Sequence, residues 1–122
     1  MSEEWPERAV CRFDELADPG AREFRIGAGY WPFRGLVVRR GEAVYAWANV
    51  CPHQHLPLNL GDDDFLMPLG QGVLLRCAMH GALFVPETGV CVAGPCAGHG
   101  LQPLACRVDA GMVLVRAPDQ QA

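Results

Sequence analysis

The sequence is divided into short apolar runs by closely spaced turn residues, and this pattern limits the folds open to it. The chain has 14 glycines and 10 prolines in 122 residues, which favours turns and disfavours long helices. Residues 35–40 and 43–48 flank Gly41-Glu42 and predict a β-hairpin, and residues 104–108 and 112–116 predict another. Many short strands at close spacing predict an all-β sandwich or barrel.

The remaining runs extend this prediction over the whole chain. Residues 23–26 alternate polar and apolar side chains, as a half-buried strand does. Four further runs have strand-like composition: 10–13, 73–76, 83–85 and 90–92. A chain of this length is expected to form one domain over residues 1–122, with a loose tail at 117–122.

Charge and hydropathy exclude several classes of protein. The formal net charge is −4, whereas a nucleic-acid binder needs a basic face to neutralise phosphates. The N-terminal residues are acidic and lack the apolar core of a secretory signal, and no apolar run approaches the 18 residues of a membrane span. The sequence therefore predicts a soluble, cytoplasmic protein without nucleic-acid or membrane partners. The six cysteines should stay reduced there unless they bind something.

Two short clusters of cysteine and histidine stand out. They are Cys51-Pro52-His53 and Cys77-Ala78-Met79-His80, and each follows a predicted strand. A structural zinc site takes four such ligands, but zinc fingers usually pair Cys with Cys and His with His. Here each loop offers one thiolate and one imidazole, which suits a two-iron cluster that receives one ligand per iron from each loop. A zinc-bound structural module is the open alternative.

The pairing Cys-x-His with Cys-x-x-His resembles the Rieske [2Fe–2S] proteins, in which two His replace two Cys on one iron. The resemblance includes residues 51–58, 77–84 and 87–91 with Gly94-Pro95, and it covers about residues 8–116. It implies an antiparallel β-sandwich with a small cluster-binding subdomain at about residues 50–97. The interval between the two loops is longer than is common in ferredoxin-type members, so residues 61–72 are expected to form an extra loop.

The same resemblance implies a ligand set. By position, Cys51 and Cys77 would hold the inner iron, and His53 and His80 would hold the outer iron near the surface. His55 is expected to be a loop residue rather than a ligand.

Departures from the family pattern indicate which type of Rieske protein this chain resembles. Respiratory Rieske proteins carry a disulfide between the loops, at positions occupied here by Leu56 and Met79. High-potential members carry Ser and Tyr where this chain has Ala82 and Phe84. The resemblance therefore implies a low-potential Rieske ferredoxin, which accepts one electron from a reductase and passes it to an oxygenase or similar acceptor. It would be an electron carrier rather than an enzyme, with redox proteins as its partners. The alternative is a small Rieske subunit of a multi-component reductase or dioxygenase.

Other reactive side chains receive structural interpretations. Cys96 could approach the cluster, although a buried spectator thiol is the expected role. Pro95 is expected to cover the cluster by resemblance, and residues 62–64 are expected to be a solvated acidic loop, with a partner-docking face as the alternative. The other cysteines are expected to pack as small apolar side chains: Cys11, Cys91 and Cys106. The tryptophans are expected to pack in the core or at the surface: Trp5, Trp31 and Trp47.

Overall fold

The computed structural model describes residues 5–27, 30, 32–52, 56–59, 63–70, 72–78, 81–96 and 98–118. Within them the chain forms eleven β-strands, a short 3₁₀ helix at Phe13–Glu15 and no α-helix. The strands are β1 (Glu7–Arg12), β2 (Gly20–Ile26), β3 (Phe33–Arg40), β4 (Ala43–Ala48), β5 (Leu66–Leu69), β6 (Gly72–Arg76), β7 (Leu83–Phe84), β8 (Cys91–Ala93), β9 (Pro103–Leu104), β10 (Cys106–Asp109) and β11 (Met112–Arg116). No helix of this described part has the length and hydropathy needed to cross a bilayer.

The strands form three antiparallel sheets. The terminal sheet has the order β1-β11-β10, the central sheet β2-β3-β4-β9, and the site sheet β5-β6-β7-β8. Both predicted hairpins are present, as β3–β4 and β10–β11. The predicted all-β antiparallel class is thus confirmed.

The central sheet separates two hydrophobic cores. Successive residues of a strand point to opposite faces, and β3 is buried on both of them. Leu36 and Val38 pack in the core shared with the site sheet, whereas Val37 packs in the core shared with the terminal sheet. The central sheet is therefore buried on both faces, and the site sheet packs against one of them.

Three details differ from the sequence predictions. Residues 66–69 form β5 and pair with β6, so the extra loop predicted at 61–72 is wrong for that stretch. Its side chains are mostly exposed and it contains Pro68, a residue that strands usually exclude except at edges, which hid the strand from pattern reading. Leu104 pairs with Ala46 as part of β9 rather than opening the last hairpin. Ala117 is fully buried and donates its N–H to the Pro6 carbonyl, so the loose tail cannot start there.

Candidate metal centre

The two cysteine-bearing loops begin where two strands end. Cys51 lies just beyond β4, and its N–H donates to the Leu56 carbonyl at 2.7 Å, which closes the first loop. Cys77 directly follows β6, and its N–H donates to the Ala82 carbonyl at 2.8 Å. Gly81, at a φ of 74°, returns its N–H to the Cys77 carbonyl at 2.8 Å. These hydrogen bonds fix the backbone at each of the two cysteines.

A hydrogen bond joins the two loops directly. The N–H of Ala78 donates to the Leu58 carbonyl at 2.7 Å. Cys51 and Cys77 are 0% and 1% exposed and belong to the same core cluster. The fold therefore brings together the two loops that the sequence predicted to converge.

The imidazoles of this site lie outside the described residues. His53 and His80, the predicted ligands of the outer iron, are not among the described residues, and neither are His55 and Met79. The assignment of all four ligands therefore stays a prediction.

The surroundings of the two thiols are apolar. Leu58, Phe65, Leu75 and Phe84 are each 0% exposed and share their core cluster. Soft thiolate ligands suit iron–sulfur clusters or zinc. Two converging buried thiols in apolar surroundings fit a metal–thiolate site. The apolar side chains around them exclude water from the inner side of that site.

A buried polar network anchors the first loop to the central sheet. Asn49, two residues before Cys51, is 1% exposed and uses both ends of its amide. Its Nδ2 donates to Glu23 Oε2 and to Asn59 Oδ1, each at 2.8 Å, and its Oδ1 accepts from the Leu58 N–H at 2.8 Å. Asn49 therefore links β2 to both ends of the loop.

Glu23 is the charged member of this network. Its side chain is 9% exposed, and its Oε2 accepts a 2.6 Å bond from Arg34 Nε. Burial acts to raise the pKa of Glu23, but the hydrogen bonds from Arg34 and Asn49 outweigh it, so the pKa lies below its usual 4.5. Sequence reasoning missed this group. The only available signal was an acidic residue on an alternating strand.

The acidic run at 62–64 is tied to the same region. Asp63 Oδ1 accepts from the Glu23 N–H at 2.9 Å, and Asp64 pairs with Arg76 at 3.2 Å. Asp62 lies outside the described residues. Both described carboxylates are exposed, as expected of a solvated loop, but each is also held by a partner within the chain.

A third thiol lies beside the site. Cys96 is 1% exposed, shares a core cluster with Cys51, and donates from its Sγ to Cys91 Sγ at 3.2 Å. Burial, with contributions from Cys91 and Cys51, raises the pKa of Cys96 to about 12. The expected burial of Cys96 is confirmed, and its place in the core cluster of Cys51 agrees with the expectation that it could approach the site. Pro95, expected to cover the site, is exposed.

The tryptophans and the other cysteines were interpreted from the sequence as packing residues. Trp47 is in the core, as expected, with Nε1 donating to the Pro86 carbonyl at 3.0 Å. Trp5 is half-buried against the other core, and Trp31 lies outside the described residues. Cys11 and Cys91 are buried and Cys106 is half-buried, in line with apolar packing.

Comparison with known proteins identifies the architecture. The structure is similar to the ferredoxin of carbazole 1,9a-dioxygenase from Nocardioides aromaticivorans IC177, with 26% identity, a TM-score of 0.66, and 92% of this chain and 97% of that chain covered. A chain from the complex of reduced oxygenase and oxidized ferredoxin in carbazole 1,9a-dioxygenase is also 26% identical, with a TM-score of 0.68 over 95% of this chain and 97% of that one. A Mycobacterium tuberculosis protein described as an NADH-dependent nitrite reductase small subunit shares the fold, at 18% identity and a TM-score of 0.63 over 91% of this chain and 94% of that chain. A search among curated proteins gave no match.

The family comparison decides between the two metal groups that the sequence left open. The model described as Rieske [2Fe-2S] domain matches residues 8–116, the span over which the sequence resemblance was recognised. The cofactor of this family is a Rieske-type [2Fe–2S] cluster. The buried thiols of Cys51 and Cys77 fit that cluster, so zinc is not needed to account for them. The chain belongs to the Rieske [2Fe-2S] domain family.

Proposed function

We propose that this protein is a one-electron carrier that accepts an electron from a reductase and delivers it to an oxygenase or a similar acceptor. The observation that carries the proposal is the convergence of the Cys51 and Cys77 loops, joined by the Ala78–Leu58 hydrogen bond, in a chain that the Rieske family spans from residue 8 to residue 116. The protein acts as an electron carrier rather than as an enzyme.

The proposed ligands divide the site into an inner and an outer side. Cys51 and Cys77 hold the inner iron from buried positions, and His53 and His80 hold the outer iron, within a cluster-binding subdomain at about residues 50–97. When bound, the [2Fe–2S] group supplies one-electron redox chemistry. Neutral imidazoles in place of two thiolates leave the oxidised site less negative, which favours uptake of an electron. The apolar side chains around the thiols exclude water from the inner side of the cluster, so the electron leaves from the outer side.

The relatives support an oxygenase as the acceptor. Two of them, at 26% identity, are a ferredoxin of carbazole 1,9a-dioxygenase and a chain of an oxygenase–ferredoxin complex of that enzyme. The nitrite reductase small subunit, at 18% identity, supports the fold alone. We include a cytoplasmic location in the proposal, because that compartment keeps cysteine thiols available for a metal cluster.

The proposal is tested on protein purified anaerobically. We expect two iron and two sulfide per chain, an absorption spectrum with visible bands, and an EPR signal that appears on reduction by dithionite. The reduced protein should then be reoxidised in stopped flow by the oxygenase component of carbazole 1,9a-dioxygenase from Nocardioides aromaticivorans IC177, used as a probe acceptor. A colourless protein with stoichiometric zinc and no EPR signal would overturn the proposal.

A low reduction potential is the first prediction. Ala82 and Phe84 are both 0% exposed and carry no side-chain donor, whereas donors to cluster sulfur stabilise the reduced state and raise the potential. We therefore expect about −150 mV, the lower end of the Rieske range, in direct voltammetry. Ala82→Ser and Phe84→Tyr should each raise it by up to about 60 mV where the hydroxyl reaches sulfur, as a tenfold change in a one-electron equilibrium would. A clearly positive wild-type potential would contradict the prediction.

A small apolar docking surface is the second prediction. Leu56, which closes the first loop, is 43% exposed, and redox partners meet through small, transient interfaces. Leu56→Asp should lower the second-order rate constant of electron transfer to the oxygenase probe about tenfold, because it places a charge in the contact.

The control for that measurement is Val108→Asp, since Val108 is similarly exposed at 39% but lies on β10 in the terminal sheet. Equal rate constants for the Leu56 variant and the wild type would place the docking surface elsewhere.

A further inference from the structure

A groove lies between β1 and β2, which are edge strands of two different sheets. Within the described residues, β1 ends the order of the terminal sheet and β2 ends that of the central sheet, so each pairs with one neighbour only. The groove has a volume of about 370 Å³ and is lined by residues 8–10 and 22–27. An edge strand presents backbone N–H and C=O groups with which another strand can pair.

The backbone of β2 has open hydrogen-bonding positions on the groove side. The register between β2 and β3 is unbroken from Gly20 to Ile26, so alternate residues of β2 point their backbone groups away from β3. Glu23 belongs to this outward set, because its N–H donates to Asp63 Oδ1 at 2.9 Å. Arg25, two residues later, therefore points its N–H and C=O outward as well, and no described residue bonds to them. The edge is capped at Glu23 and open from Arg25 onward.

Three arginines make the lining of the groove positive: Arg8 from β1, and Arg22 and Arg25 from β2. The side chain of Arg22 is 43% exposed and pairs with Glu15 at 3.5 Å. The side chain of Arg25 is 54% exposed and pairs with Glu23 at 3.3 Å. A guanidinium has five N–H donors, so Arg22 and Arg25 each keep donors for a further carboxylate.

Glu23 is the one acidic residue among those that line the groove, and its charge is already matched. Its Oε2 accepts from Arg34 Nε at 2.6 Å and from Asn49 Nδ2 at 2.8 Å. Arg25 is therefore a second cation beside a single carboxylate. The groove carries a local positive charge in a chain whose formal net charge is −4.

We propose that this groove binds an extended, carboxylate-rich segment of a partner protein, which adds to the open edge of β2 as a further strand. Main-chain hydrogen bonds to Arg25 supply affinity, as in other cases of strand addition. Ion pairs with Arg22 and Arg25 select acidic side chains. Residues three apart on a strand point to opposite faces, so these two arginines meet carboxylates on both faces of the added strand. The inference is independent of the ligand roles of Cys51 and Cys77.

The test titrates purified holoprotein with synthetic peptides by isothermal titration calorimetry at low salt. The probe is acetylated and amidated Thr-Glu-Val-Thr-Glu-Val-Thr, whose two glutamates lie on opposite faces of a strand. An isomer of the same composition, Thr-Glu-Val-Glu-Thr-Val-Thr, has both glutamates on one face and should bind about fivefold more weakly, because one ion pair is lost. Replacing both glutamates of the probe with glutamine should weaken binding about 25-fold. Added salt should weaken binding of the probe as well.

Two variants test the arginines. Arg22→Gln and Arg25→Gln should each weaken binding of the probe about fivefold, as expected for the loss of one charged cross-strand pair. Arg107→Gln is the matched control, because Arg107 is 57% exposed and also ion-paired but lies on β10. It should leave the affinity unchanged.

Two further measurements test the strand pairing itself. Hydrogen–deuterium exchange followed by mass spectrometry should become slower in residues 20–27 when the probe is bound, because the outward N–H of Arg25 gains an acceptor. A probe that is N-methylated at every second residue keeps its charge but loses main-chain donors, and it should bind about tenfold more weakly.

Three results would overturn the inference. Absence of binding would mean that the arginines only protect the edge from other strands. Equal affinity for the probe and its N-methylated form would mean that charge alone attracts the peptide. A concentration-dependent dimer with slow exchange in residues 20–27 before any peptide is added would mean that a second copy of this chain occupies the edge. None of these results changes the EPR signal of the cluster, on which the carrier function is judged separately.

Discussion

Cys51→Ser and Cys77→Ser should each eliminate the cluster. Both thiols are buried at the start of their loops, with their backbone N–H groups already used to close those loops. A serine hydroxyl keeps its proton at neutral pH and replaces a soft thiolate poorly as a ligand. We expect bound iron to fall from two atoms per chain to none, with loss of the visible absorption and of the EPR signal. Because metal binding and folding are coupled, the melting temperature should fall as well.

Two controls separate ligand loss from general damage. Cys106→Ser changes the same kind of side chain away from the site, and it should retain the cluster. His55→Ala changes a histidine of the first loop that is not expected to bind iron, and it should also retain the cluster. Loss of colour in the His55 variant would show that the loop ligands have been assigned wrongly. Full iron content in Cys51→Ser would contradict the ligand role of Cys51.

Local patterns were sufficient to predict much of this fold. The hairpin of β3 and β4 could be read from two β-rich runs around Gly41-Glu42, and the hairpin of β10 and β11 from a similar pattern. Alternation in β2 correctly placed Phe24 and Ile26 inside. These features depend on neighbours in sequence, and short-range periodicity reports them directly.

The features that sequence reasoning missed depend on distant contacts. Glu23 and Asn49 are 26 residues apart and meet only because β2 and the first ligand loop are adjacent in the fold. The close approach of Gly94 to Ala82 joins the loop after β8 to the loop that follows Cys77, and no periodicity records it. β5 was missed because its exposed side chains and Pro68 are untypical of strands. The two loops proposed to hold the cluster could be recognised because two spaced Cys/His pairs are themselves a local signal.

Asn49→Asp should be among the most destabilising single changes that keep the shape of the side chain. Its Nδ2 now donates to Glu23 Oε2 and to Asn59 Oδ1. An ionised aspartate would present an acceptor to both oxygens and place a second buried negative charge beside Glu23. We expect a loss of about 3 kcal/mol in the free energy of unfolding at neutral pH, as when a buried charged network loses a partner.

The pH dependence of that loss has a defined sign. In the wild type the pKa of Glu23 is lowered in the folded state, so its stabilising contribution is present above the usual value of 4.5 and is lost as the pH falls through the folded pKa. In Asn49→Asp, two like charges in contact raise the pKa of one carboxyl group above its usual range. That group destabilises the fold at neutral pH, and the penalty is relieved as it gains a proton on acidification.

The difference in stability between wild type and Asn49→Asp should therefore shrink as the pH falls from about 7 to about 5, a window above the usual carboxyl pKa. Thermal unfolding of the holoprotein, followed by circular dichroism at several pH values, measures it. Gln102→Glu is the matched control, because it also changes an amide to an acid but at an exposed position, and it should show little effect at any pH in the window. A difference that stayed constant or grew on acidification would mean that Asn49 does not hold the first ligand loop through Glu23. A shrinking difference would show that the neutral amide of Asn49, two residues from the proposed ligand Cys51, stabilises the ionised Glu23 where a second carboxylate destabilises it.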